Sequence, residues 1–171
     1  MEPRKAVSKE SMEDLFVRAN REWDDGNGKL AFQLFLQAAN GGHASAKNSA
    51  GYFLDHGIGV RKNRVQALIW YRRAARQGDL SAYSNIAVSY RDAGNARRAR
   101  TWFARAVERG DGGAAVDLAK LLLETKRKSS TTDAVRYLKA AVKSKYISED
   151  ARSEAVQLLK DEGGQGTGHD I

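Results

Sequence analysis

The sequence has no cysteine and a single proline, Pro3. Without cysteine there is no disulfide framework, no thiolate nucleophile and no cysteine-ligated metal. Without proline beyond position 3, nearly the whole chain is open to helix, because proline is the strongest helix breaker. Long apolar runs are also missing: no segment approaches the ~18 apolar residues of a membrane span. The opening residues MEPRKAVSKESMEDLF carry charges where a signal peptide needs an apolar run. The expected location is therefore cytoplasmic, with no membrane partner. Histidine is scarce, at His43, His56 and His169. No two of these stand four apart and none has an acidic residue at ligand spacing, so neither a metal nor a cofactor is expected. Asp24-Asp25 and Asp161-Glu162 read as solvated helix-end charges. Adjacent carboxylates without a cleft make no general acid–base pair, and no nucleophile stands beside a base, so the chain is expected not to be an enzyme.

What the sequence has in quantity is alanine, leucine and arginine, with few β-branched runs, a composition that favours helices over sheets. Its 171 residues suffice for one domain with a real core. The net charge of +8 is unevenly spread: −1 over residues 1–60, +9 over 61–109, +4 over 110–146 and −4 over 147–171. Eleven of the 12 basic residues in the middle block are arginine; Lys62 is the other.

A single apolar pattern recurs four times. Ala67, Trp70, Tyr71, Ala74 and Ala75 lie at offsets 0, 3, 4, 7 and 8, one stripe of a helix. The same offsets give Ala31, Leu34, Phe35, Ala38, Ala39; Ala99, Trp102, Phe103, Ala106, Val107; and Ala134, Tyr137, Leu138, Ala141, Val142. The leading alanines are 36, 32 and 35 residues apart. Gly42, Gly78 and Gly110 close three of the stripes, as glycine does where a helix ends in a left-handed turn; Lys145 takes that place in the fourth. A shorter helix precedes each stripe, marked by Leu15, Phe16, Ala19 and Trp23; by Ala46, Ala50, Gly51 and Leu54; by Ala82, Ile86, Ala87 and Tyr90; and by Ala114, Leu118, Ala119 and Leu122. Small residues at Gly51, Ala87 and Ala119 allow close approach within each pair, with the Trp or Phe of the second helix filling the space beside it. One pair cannot cover its own apolar face, whereas stacked pairs can, and a period in the thirties marks a solenoid of helix pairs. The expected fold is all-α: a right-handed α-solenoid, or superhelix, of about four repeats (11–42, 43–78, 79–110, 111–145) plus a capping helix over 148–160, forming one domain over 11–160. Ser11 and Asp14 form a capping signal for the first helix. Ala151, Ala155, Leu158 and Leu159 are the expected inward side of the cap helix. Residues 1–10 are expected to be flexible and 161–171 a disordered tail. Ser129-Ser130-Thr131-Thr132 reads as a short linker whose end caps the next helix.

The segment ASAKNSAGYFLDHGIGVRKNRVQALIWYRRAARQGD, Ala44 to Asp79, resembles a Sel-one-like repeat, a relative of the tetratricopeptide repeat. The resemblance is carried by Ala46, Gly51, Gly57-Ile58-Gly59-Val60, Ala67, Trp70-Tyr71, Ala74-Ala75 and Gly78; Ala50, Leu54 and Asn63 depart from the family pattern. Gly57 and Gly59 permit positive φ between the helices, and Asn63 is placed to cap the second helix. A phosphate-binding glycine loop would want a strand before it and Lys-Ser/Thr after it; here a helix precedes and Arg61-Lys62-Asn63 follows.

The tetratricopeptide resemblance implies a concave face on the first helices. By position it holds Asn48, Tyr52 and Asp55; Ser84, Val88 and Arg91; and Lys120, with Val116 beside it. On that reading Asn48 bonds a peptide backbone, Tyr52 anchors an apolar side chain, and Arg91 or Lys120 meets a carboxylate. Opposite the stripes of the second helices lie Arg72, Arg73 and Arg76, and Arg98, Arg105 and Arg109, which neighbouring helices would set together as a basic ridge. Arginine forks grip carboxylates and phosphates in pairs. The expected function is a non-catalytic protein–protein interaction module with an acidic protein or peptide partner; in bacteria, the resemblance implies adaptors, regulators, secretion accessories and toxin-neutralising partners. The alternative is a nucleic-acid binder using the arginine ridge, phosphate-led and salt-dependent because few rings are left for base stacking.

Overall fold

The computed structural model describes residues 10–165. Among them lie nine helices: α1 Met12–Asp24, α2 Gly28–Asn40, α3 Ala44–His56, α4 Arg64–Arg76, α5 Ser81–Asp92, α6 Ala96–Val107, α7 Gly112–Leu123, α8 Lys128–Lys143 and α9 Glu149–Gln165. The chain divides between Asp79 and Leu80 into two compact units.

In the first unit, α1 pairs with α2 and α3 with α4, while α2 packs on α3. Ser11 opens α1 with a reciprocal cap: its hydroxyl accepts from the Asp14 amide, and the Asp14 carboxylate accepts from the Ser11 amide. The Ser11 hydroxyl also donates to the Asp14 carboxylate at 2.6 Å, and this bond first, then that from the Ser11 amide, holds the Asp14 carboxyl below its ordinary value. The stripes on α2 and α4 are buried in full, from Ala31 through Ala39 and from Ala67 through Ala75. Phe35 and Phe53 meet edge to face at 5.2 Å in the centre of the unit.

The side chain against Gly51 is Tyr71, not the neighbouring tryptophan: a Cβ at position 51 would stand 2.7 Å from the Tyr71 ring. Burial pushes the Tyr71 phenol well up, and the Asp55 carboxylate adds to it. Gly57 and Gly59 both adopt positive φ, at 76° and 64°. Gly59 has a second reason to be glycine, since a Cβ there would fall 2.3 Å from the backbone of Gly28 and Lys29 at the start of α2. The loop thus ties the second pair to the first. Asn63 then caps α4 through the Gln66 amide at 3.1 Å.

In the second unit, α5 pairs with α6 and α7 with α8; α6 packs on α7, and α9 covers α8 and α7. Its core joins Ala115, Val116, Ala119, Ala134, Leu138, Ala141 and Ala155, with Ala151, Leu158 and Leu159 packed against it. The stripes here are only half covered at their outer positions: Trp102, Val107, Tyr137 and Val142 are of intermediate burial. Gly42, Gly78 and Gly110 all take positive φ. The fourth copy ends differently. After α8 the chain runs extended from Ser144, pairs Tyr146 with Asp111, and receives two hydrogen bonds from Arg152 of α9 at the carbonyls of Val142 and Ser144. A charged fork from the next helix thus satisfies the carbonyls that a glycine turn would otherwise serve.

Three expectations are corrected. The Ser129–Thr132 stretch is the first turn and a half of α8, not a linker; Thr131 and Thr132 bond back to the carbonyls of Arg127 and Lys128. Helix α9 runs to Gln165 rather than stopping at 160. Trp23 is 41% exposed instead of buried in its stripe. Of the expected loose ends, residues 1–9 and 166–171, including His169, lie outside the described residues, while Glu10 is described and pairs with Arg18 at 3.0 Å.

Candidate functional site

The outward residues of the first helices fall into two groups. On α1 and α3, Tyr52 stacks on His56 at 4.0 Å between ring centroids and leans on Trp23 at 5.9 Å. With Trp23 partly open to solvent and His56 exposed, the three rings form an aromatic platform. The sequence pattern placed Trp23 inside because it shares a helical stripe with Leu15 and Ala19. It lies one turn further on, at the exposed end of α1. At the opposite end of α3 from this platform, His43 opens the helix. Its Nδ1 accepts from the Ala46 amide at 3.1 Å, its Nε2 stands 3.0 Å from the Glu13 carboxylate, and its ring stacks on Phe16 at 4.4 Å. Because a backbone amide can only donate, Nδ1 is the bare nitrogen and Nε2 carries the proton to Glu13. Nothing in the sequence spacing flagged His43 as a cap.

Asp55 is not available for docking. It is buried, 6% exposed, and paired with Arg64 at 3.2 Å, because position 55 turns toward α4 at the end of α3. Val116 likewise belongs to the core of the second unit. Asn48 is half buried and already engaged.

In the second unit the first-helix charges meet one another. Arg91 reaches from α5 to Asp117 of α7 at 3.0 Å, and Lys120 of α7 meets Glu154 of α9 at 2.8 Å. Ser84 donates to Asp111 at 2.5 Å, whose other oxygen caps α7 at the Ala114 amide. Burial raises the Asp117 carboxyl above its ordinary value, against the opposing pull of Arg91 and Lys120. Val88 remains half buried on this face. Arg91 and Lys120 thus have carboxylates of their own chain, which the sequence could not show since their partners lie 26 and 34 positions on.

The arginines of the second helices are exposed and grouped unit by unit. On α4, Arg72, Arg73 and Arg76 face solvent, and Arg73 lies over the Trp70 ring at 4.8 Å. Lys47 of α3 is held below its ordinary value by burial and by the charge of Arg73. On α6 and the turn after it, Arg98 lies over Tyr90 at 5.4 Å, Arg105 over Trp102 at 4.7 Å, and Arg109 over Tyr83 at 4.2 Å. This pairing of arginines with buried or half-buried rings is a feature that stripe analysis alone missed.

Among the described residues no group of His, Asp and Glu is arranged to hold a metal ion, and no helix is long and apolar enough to cross a membrane.

The Sel1 repeat model matches residues 25–43, 44–79 and 89–111. The chain is similar to a Sel1 repeat protein from Oxalobacter formigenes, at 25% identity and TM-score 0.67 over 88% of this chain and 73% of that one. It is similar in fold to c5321, a protective antigen of uropathogenic Escherichia coli displaying an SLR fold, with TM-score 0.78 and 23% identity over 92% of this chain and 34% of that one. A 56-residue stretch, 33% of this chain, is 41% identical to the chitin synthase regulator SKT5 of Saccharomyces cerevisiae, and spans 8% of that relative. Sel1 repeats are generally protein-interaction scaffolds without catalysis. The helix pairs, their glycine-closed turns and these matches agree: the architecture is an all-α helical-repeat solenoid that carries Sel1 repeats over residues 25–43, 44–79 and 89–111.

Proposed function

We propose that this chain is a non-catalytic interaction module that holds an acidic protein or peptide on its helical-repeat surface, serving as an adaptor, regulator or toxin-neutralising partner. The observation that carries the reading is the platform of Trp23, Tyr52 and His56 on α1 and α3. Large, partly exposed rings held against one another supply contact area at little entropic cost, which is why tryptophan and tyrosine dominate binding hot spots. The acidic character of the partner follows from charge: the chain carries +8 overall, and among the described residues no carboxylate pairs with Arg73, Arg98 or Arg105. A nucleic-acid reading is less well supported, because the rings beside these arginines, Trp70 and Tyr90 buried and Trp102 half-buried, are covered by guanidinium groups and offer bases little to stack on.

The test is quantitative affinity capture from the native host with the wild-type chain and a Trp23→Ala/Tyr52→Ala variant, each checked for folding by circular dichroism. The expected result is one or more proteins retained by the wild type and depleted about 10-fold or more by the variant, the loss of two hot-spot rings. A folded variant that keeps every partner would remove the platform from the account.

A further inference from the structure

Arg98, Trp102, Arg105 and Arg109 follow one another at steps of four, three and four along α6 and its closing turn, so they share one face. Tyr90 and Tyr83 of α5 stand beside them. The result is an alternating row: Arg98 over Tyr90, then Arg105 over Trp102, Trp102 against Tyr83 at 6.0 Å, and Arg109 over Tyr83. All three arginines are exposed. A guanidinium resting over a ring still offers N–H groups at its edge, where a carboxylate binds them in pairs. Arg98 and Arg105 have no carboxylate partner among the described residues. Arg109 gives one N–H to the Arg105 carbonyl at 2.7 Å and stands 3.9 Å from the exposed Glu108, a contact worth little in water. Between Ala96 and Arg109 there are five arginines and one glutamate.

We propose that this face of α5 and α6 receives an extended acidic segment of the partner, with carboxylates spaced to meet Arg98, Arg105 and Arg109. The inference rests on the reading that the partner is a protein. A partner helix would need apolar side chains to bury along its whole length, and the exposed apolar residues here, Leu80 and Tyr146, stand only beside Arg109 at one end of the row; an extended segment needs none. At roughly 1.5 Å per helical residue, Arg98 and Arg105 are about 10 Å apart along the axis, and Arg105 and Arg109 about 6 Å. Side chains of an extended segment alternate sides, so carboxylates facing one row stand an even number of residues apart; at roughly 3.3 Å per residue, four and two residues come nearest these gaps, with the long arginine side chains taking up the difference. The segment therefore reads acid, three residues, acid, one residue, acid.

The probes are two fluorescent peptides of Gly and Ser with three glutamates each, one with this spacing and one with the glutamates contiguous. Anisotropy is read at ~50 and ~200 mM salt, where exposed charge contacts are strong and then screened. The spaced peptide is expected to bind at least about 5-fold tighter than the contiguous one. Arg98→Gln/Arg105→Gln/Arg109→Gln is expected to weaken it about 10-fold or more, one bidentate contact's worth at least. The corresponding triple lysine variant keeps charge and fold but loses the stacked fork, and is expected to weaken it about 3-fold. Equal binding of both peptides, binding unaffected by the glutamine variant, or no binding at the lower salt each overturns the proposal. So does tighter binding of a single-stranded RNA oligomer or of phosphatidylglycerol vesicles. If native capture still depends on Trp23 and Tyr52 while the peptide fails, this inference alone falls; if the wild type captures nothing, the proposed function falls with it.

Discussion

Replacing Gly59 by alanine separates the two reasons this loop is glycine. Gly59 has φ of 64° and, unlike Gly26 with φ of 81°, has no room for a side chain. Alanine at Gly26 meets nothing within 4 Å, so only the left-handed backbone counts against it, roughly 1–2 kcal/mol. The stiffer unfolded chain offsets about 0.4–1 kcal/mol of that. At Gly59 the same strain applies, and the new methyl also meets backbone atoms of Gly28 and Lys29 at 2.3 Å. Those atoms cannot rotate away as a side chain would, so α2 or the loop must shift, which adds about 1–3 kcal/mol as overpacking does. The expected losses are therefore about 1 kcal/mol for Gly26→Ala and about 2–4 kcal/mol for Gly59→Ala. In urea unfolding with a slope of about 2 kcal/mol per M, the midpoint of Gly59→Ala should fall about 1–2 M and that of Gly26→Ala about half a molar. Equal midpoints for the two variants would refute the claim that the loop is pinned against the first helix pair.

Ser89 on α5 is 1% exposed and its hydroxyl has no partner among the described residues; Ser89→Ala should raise stability by about 1 kcal/mol in the same assay, since an unmade buried hydrogen bond is removed. Arg64→Met leaves the Asp55 carboxylate buried without its partner, and should cost about 2–3 kcal/mol, less than a fully buried pair because Arg64 is 30% exposed. The Asp117 carboxyl is raised above 3.8 in the folded chain, chiefly by burial, so the folded state binds more protons than the unfolded state above that value and stability falls as pH climbs through the folded value. Asp117→Asn should flatten that decline, read as urea midpoints from about pH 3 to 7; an unchanged slope would reject the assignment.

The period and the stripes were legible in the sequence because they obey one helical geometry. Ala31, Ala67, Ala99 and Ala134 are all fully buried, and Ser11, Asn63 and the turn glycines do what their chemistry dictates. What stayed hidden depends on distance in the chain. The pairing of Asp55 with Arg64 and of Arg91 with Asp117 arises only when helices meet. Arg152 closing α8 could not be read because the usual signal is a glycine, and here a side chain from another helix takes its role. The Ser129–Thr132 run looked like a linker because these residues favour caps and turns, yet once α8 continues through them, Thr131 and Thr132 turn their hydroxyls back on the helix's own carbonyls. The candidate surfaces were only partly visible: the arginines of α6 were foreseen as exposed, whereas the rings that hold them, and the opening of Trp23 beside Tyr52, follow from packing.

The most direct measurement is photo-crosslinking in the native host, with a photoreactive amino acid placed at the exposed Asp24 beside the platform and, separately, at the exposed Thr101 beside the α6 row. The account predicts protein crosslinks, whose linked peptides are rich in Asp and Glu when the probe stands at position 101. Crosslinks to nucleic acid at that position, or no crosslinked protein at either, would contradict it.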